Sequence, residues 1–195
     1  MKKRILGGAI VLIVLITSIL LGDIPFAITI SLVALLGLKE LIDIKYKNKD
    51  IKAIKILSSI SMLLILLNNT LYTLDIKVLI YLPILILILP IVFYNNKEKY
   101  NINDAFYFLG ITYFLSFAFS NIITMRELSI HKCIYIFIIS FITDTYAYIG
   151  GMLIGRKHFT TISPKKTIEG SLIGALTGSF IGSMYYIMFI NDLSI

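Results

Sequence analysis

Seven long apolar runs follow one another along this chain, and they limit its fold more than any other feature. They lie at about 5–22, 25–42, 53–70, 76–94, 104–124, 131–152 and 168–190. Each is close to the ~20 residues an α-helix needs to cross ~30 Å of hydrocarbon. The third is the weakest, because Lys55, Ser58, Ser59 and Ser61 dilute its start. Composition points the same way. Charged residues are 15% of the chain and hydrophobic residues 58%, whereas soluble domains carry about 25% charged residues. The sequence reads as all-α: a polytopic membrane protein of about seven transmembrane helices, forming one integral membrane domain over 1–195. Its basic N-terminus resembles a signal peptide, but no small-x-small cleavage site follows. It reads as a retained first helix.

The net charge of +7 is explained by the membrane. With the N-terminus inside, fifteen of the eighteen Lys and Arg residues fall on the cytoplasmic side, as positive-inside topology requires. Basic and aromatic residues are not interleaved in a way that would read bases, so nucleic acid is not an expected partner. The preference for Lys over Arg and the many Ile and Asn residues point to a bacterial cell membrane. Cys133 allows no internal disulfide and reads as a small buried apolar residue. His131 and His158 lack metal-ligand spacing, and Asn68 and Asn69 mark the outer end of a span.

Two places carry chemistry. The first is Asp144, set in the apolar run FIISFITDTYAYIGG. A carboxylate at the centre of a spanning helix costs roughly 2.5–3.5 kcal/mol and demands a partner, whether water, a cation, a lysine or a metal. The second is the linker GRKHFTTISPKKTIEG, expected on the cytoplasmic side. Lys165 and Lys166 suit phosphate as point charges, and Ser163 and Thr167 can donate to phosphate oxygens. Ser163 is the expected helix cap, with Pro164 in the first turn and Glu169 soon after. The free amides of that helix start would add an anion site. In the last run, Gly170, Gly174, Gly178 and Gly182 recur every four residues, with Ser171, Ala175, Ser179 and Ser183 beside them. Such a stripe admits another helix closely, from the same chain or from a second copy in a homodimer.

The pattern DTYAYIGGMLIGR followed by ISPKKTIEG resembles the phosphatidate cytidylyltransferases. The matching positions are Asp144, Ala147, Tyr148, Gly151, Gly155, Arg156, Ser163, Pro164, Lys165, Lys166, Thr167, Glu169 and Gly170. Lys3, Arg4, Ile5, Gly22 and Glu40 extend the likeness toward the N-terminus. The resemblance implies an enzyme of phospholipid biosynthesis that joins CTP and phosphatidate to give CDP-diacylglycerol and pyrophosphate, with Mg²⁺ as cofactor. It implies catalytic roles for Lys165, Lys166 and Glu169, and substrate binding by Ser163, Thr167, Arg156 and Tyr148. Asp144 becomes the expected metal ligand. Family members normally continue through further spans to a second signature containing aspartates. This chain is therefore expected to be a truncated or shortened form with impaired activity. Two other readings stay open: a small transporter or lipid-binding protein built on Asp144, and a non-catalytic paralogue that assembles through its glycine stripe.

Overall fold

The computed structural model describes residues 2–47, 51–93, 100–158, 163 and 166–190, with residues 2–9 described by backbone alone. The helices are α1 (Lys2–Leu21), α2 (Asp23–Lys45), α3 (Lys52–Leu66), α4 (Ile76–Ile88), α5 (Pro90–Phe93), α6 (Ile102–Leu128), α7 (Ile130–Ile154) and α8 (Ile168–Phe189). No extended strand occurs among the described residues. Pro90 cannot donate a backbone hydrogen bond, and the chain breaks briefly at Leu89 before α5. The two pieces make one apolar span, Ile76–Phe93. Five helices are long and apolar enough to cross a membrane: Asp23–Lys45, Ile76–Phe93, Ile102–Leu128, Ile130–Ile154 and Ile168–Phe189. With α1 and α3, all seven expected runs are helical.

The third run is shorter than expected. Its helix ends at Leu66 after 15 residues, not at residue 70. Asn69 takes a left-handed φ of 72°, which Asn tolerates better than most residues. Its N–H donates to the Tyr72 carbonyl at 2.7 Å, and the Leu74 N–H donates to Asn68 Oδ1 at 2.8 Å. The asparagines do close this span, but by turning the backbone before the apolar run is exhausted.

The chain divides into two compact units, 1–127 and 128–195. In unit 1, α2 buries Phe26, Ile30, Ala34, Leu38 and Ile42, the i, i+4 stripe of a packed helix face. A reciprocal capping box opens α6. The Asp104 N–H donates to Asn101 Oδ1 at 3.0 Å, and the Asn101 N–H donates to Asp104 Oδ2 at 3.2 Å. Tyrosines donate to carbonyls near the ends of helices, where intrahelical partners run out. Tyr72 donates to Leu64 O at 2.8 Å, Tyr100 to Leu87 O at 2.7 Å and Tyr107 to Leu41 O at 3.0 Å. Arg126 donates through Nε to Ile19 O at 2.8 Å and through Nη1 to Asp23 Oδ1 at 2.9 Å.

Unit 2 is built on the pair α7 and α8, and Gly170, Gly174, Gly178 and Gly182 are all buried in it. A Cβ added at Gly170 would lie 2.5 Å from Ala147 O, and one added at Gly174 would lie 2.5 Å from Thr143 O. At Gly178 it would meet Thr143 Oγ1, and at Gly182 Ile139 Cγ1 at 2.9 Å. The stripe thus brings α8 against the backbone of α7 in the same chain. The face made by these four glycines is taken by α7, so the close partner of the stripe is a helix of the same chain. Cys133 is buried, as its apolar surroundings predict.

Candidate functional site

The close approach of α7 and α8 sets the site at one end of unit 2, where α7 stops and α8 begins. Gly155 caps α7, and its N–H donates to Gly151 O at 3.1 Å. Thr167 caps α8, accepting the Gly170 N–H on Oγ1 at 3.2 Å. A side chain at Gly155 would come within 2.7 Å of Thr167 Oγ1, and one at Gly151 within 3.0 Å. The two glycines therefore make room for the capping threonine.

The cap is a correction. Ser163 was the expected one, but the helix starts at Ile168. Ser163 instead accepts the Lys166 N–H on its backbone carbonyl at 3.1 Å. Further contacts fix the late start. The Ile168 N–H donates to Lys157 O at 3.0 Å. The Glu169 carboxylate accepts the backbone N–H of Arg156 at 3.1 Å and that of Lys157 at 3.3 Å. Glu169 thereby ties the segment leaving α7 to the first turn of α8. The free amides expected at this helix start are partly spent, since those of Ile168 and Gly170 already have partners. Attraction for an anion falls instead on side chains and on the positive end of the α8 dipole.

A cavity of about 470 Å³ opens here, within the ~300–1,000 Å³ usual for small-molecule sites. Asp144, Tyr148, Ser163, Lys166 and Thr167 line it, together with Ser171. Five of the eight residues singled out from the sequence are thus brought to one space. Arg156 and Glu169 stand beside it and do not line it, and Lys165 lies outside the described residues. Thr143 and Met152 also line the cavity and were missed as site residues. The only sequence signal for Thr143 is its place one residue before Asp144. Asp144 is the one carboxylate on the lining, and among the described residues it makes no hydrogen bond or ion pair. No group of three or more His, Cys, Asp or Glu gathers among the described residues. This donor set does not cage a metal with protein ligands alone.

A lone carboxylate, a lysine and the hydroxyls of Ser163 and Thr167 thus share one cavity at a helix start. A sequence model of the cytidylyltransferase family matches residues 2–195. The chain belongs to the cytidylyltransferase family. It is 30% identical over 196 residues to a phosphatidate cytidylyltransferase of Staphylococcus haemolyticus, covering 98% of this chain and 74% of that protein. Relatives of the same name from Staphylococcus aureus and Staphylococcus saprophyticus are 29% identical over the same shares. No solved structure matches. Family membership makes the chain a nucleotidyltransferase, and its apolar helices make it an integral membrane protein.

Proposed function

We propose that this chain transfers a cytidylyl group from CTP to phosphatidate, yielding CDP-diacylglycerol and pyrophosphate. The observation that carries the reading is the convergence of Asp144, Ser163, Lys166 and Thr167 on one cavity in a chain of this family. In the reaction, a phosphate oxygen of the lipid attacks the α-phosphorus of CTP. The bond to the bridging oxygen of the β-phosphate breaks, and pyrophosphate leaves with that electron pair. Such chemistry depends on positioning and on neutralising charge at oxygen. Lys166 neutralises phosphate charge, while Ser163 and Thr167 orient it. Tyr148, exposed on the cavity wall, bounds the substrate. Lys165, next in sequence to Lys166, adds a second cation.

Mg²⁺ belongs to this reading as a cofactor. Magnesium is commonly held by one or two carboxylates and by substrate phosphates. The single unpaired carboxylate on the lining suits that arrangement, so Asp144 would hold it. When bound, it stabilises negative charge on the phosphate oxygens. Glu169 serves differently: its carboxylate fixes the backbone at Arg156 and Lys157, which makes it a positioning residue. The cavity is read as facing the cytoplasm, where CTP is available.

The test is formation of CDP-diacylglycerol from labelled CTP by the purified chain, in detergent with phosphatidate and Mg²⁺. The wild type should form product, and Lys166→Ala and Asp144→Asn should each lower turnover by about 100-fold or more. Unchanged turnover in Lys166→Ala would overturn the site. A folded wild-type sample that forms no product would overturn the activity.

A further inference from the structure

Unit 1 holds a second cavity with a different character. It is a groove of about 630 Å³ between α2 and α3, again within the ~300–1,000 Å³ of ligand sites. Leu32, Leu36, Ile56 and Ile60 make its apolar walls, and Leu36 and Ile56 are well exposed along it. Two lysines, Lys39 and Lys55, stand at one end. Lys39 lies seven positions after Leu32, which at 1.5 Å per residue gives an apolar wall about 10 Å long below the charge. Lys55 is paired with Asp43 at 2.6 Å. Lys39 is exposed and has no ion pair among the described residues. Among the described residues that line or pair at the groove, one carboxylate faces two ammonium groups at the mouth of a hydrocarbon-lined slot.

We infer that this groove holds one anionic glycerophospholipid, with an acyl chain between α2 and α3 and its phosphate against Lys39 and Lys55. Charge complementarity selects the occupant. A neutral lipid would fill the walls equally well but would leave the two lysines sharing Asp43, whereas a phosphate adds a second anion. A lysine near a membrane surface attracts anionic lipid by about 1 kcal/mol, or about fivefold in affinity. The groove is made wholly of unit 1 residues and uses none of the side chains assigned to cytidylyl transfer. The inference therefore stands independently of that activity.

The test is native mass spectrometry of the full chain, released from micelles titrated with phosphatidate, phosphatidylglycerol or phosphatidylcholine. One phosphatidate or phosphatidylglycerol should be retained about fivefold more readily than phosphatidylcholine. Equal retention of both anionic lipids identifies the phosphate as the recognised group, and retention of phosphatidate alone identifies the monoester. Lys39→Gln should remove the preference for phosphatidylglycerol, and Ile60→Trp, which fills the groove, should abolish retention of phosphatidylglycerol, a lipid that is not the proposed substrate. Equal retention of all three lipids overturns the inference. So does a Lys39→Gln chain with its preference for phosphatidylglycerol intact, or an Ile60→Trp chain that still holds phosphatidylglycerol. Lipid loss on formation of a dimer would assign the groove to a second copy and overturn it as well.

Discussion

Unit 1 packs on large side chains, with Phe26, Leu38, Ile42, Met62 and Phe108 buried, and the hydroxyls of Tyr72, Tyr100 and Tyr107 are spent on helix carbonyls. Unit 2 packs glycine against backbone, and its Ser163, Lys166 and Asp144 line a cavity. Gly37 and Gly110 in unit 1 have nothing within 4 Å of an added Cβ, whereas Gly170 and Gly174 in unit 2 meet backbone at 2.5 Å. The difference teaches what close packing is for. Where bulky residues fill the interface, polar groups serve the ends of helices. Where the interface is reduced to glycine, the two helix ends come near enough for polar side chains from both to share one space.

Adding bulk should separate the units most sharply. Gly174→Leu places a side chain against Thr143 O and Ala147, and overpacking of that kind costs about 3 kcal/mol or more. Gly110→Leu should leave stability nearly unchanged. Thermal unfolding in detergent measures both, and equal losses would break the comparison. The Glu169 tie comes next. Glu169→Ala should speed hydrogen exchange at the Arg156 and Lys157 amides and lower kcat/KM by on the order of tenfold to a hundredfold, through misplacement of the segment. Glu169→Gln should recover part of both. Unaltered exchange in the alanine variant would refute the tie.

A smaller loss is expected at the cap. Thr167→Ala should cost about 1 kcal/mol, while Ser163→Ala should not reduce the stability of α8, since Ser163 does not cap it. Equal destabilisation by the two would restore the earlier cap assignment. The smallest effect lies in unit 1. Burial, together with donation to Asp104 at 2.7 Å, raises the pKa of the Tyr46 phenol above its usual value. The neutral form is favoured by folding, so its contribution is complete below about pH 10 and is lost only as pH climbs through the higher folded value. In an absorbance titration Tyr46 should ionise after the exposed tyrosines. Tyr46→Phe should shrink that late step without removing it, because burial also raises the Tyr100 phenol.

Much of this was legible in the sequence. Seven apolar runs became seven helical segments because in lipid a helix is the only way one strand of backbone satisfies itself. The glycine period announced close packing, and Asp144 stood out as a costly carboxylate that the structure places on a cavity wall. What could not be read was local competition. Ser163 and Thr167 both suit a cap, and the choice was made by Glu169 reaching back twelve residues and more to the amides of Lys157 and Arg156. Nothing in the sequence advertises such a contact. The glycine stripe likewise fits a partner from either chain, and only the placement of Thr143 and Ala147 identified it as α7. The early end of α3 depended on a backbone turn at Asn69.

The Glu169 carboxylate holds amide hydrogens and not side chains. That makes positions 156 and 157 permissive in one respect and strict in another. Most side chains there leave the tie itself untouched, so basic residues at these positions are free to be selected for what they meet in solution. Proline is the exception, because it carries no amide hydrogen to give. A survey of all twenty residues at 156 and 157 should therefore show a broad plateau in the protection of the partner amide, interrupted at one amino acid.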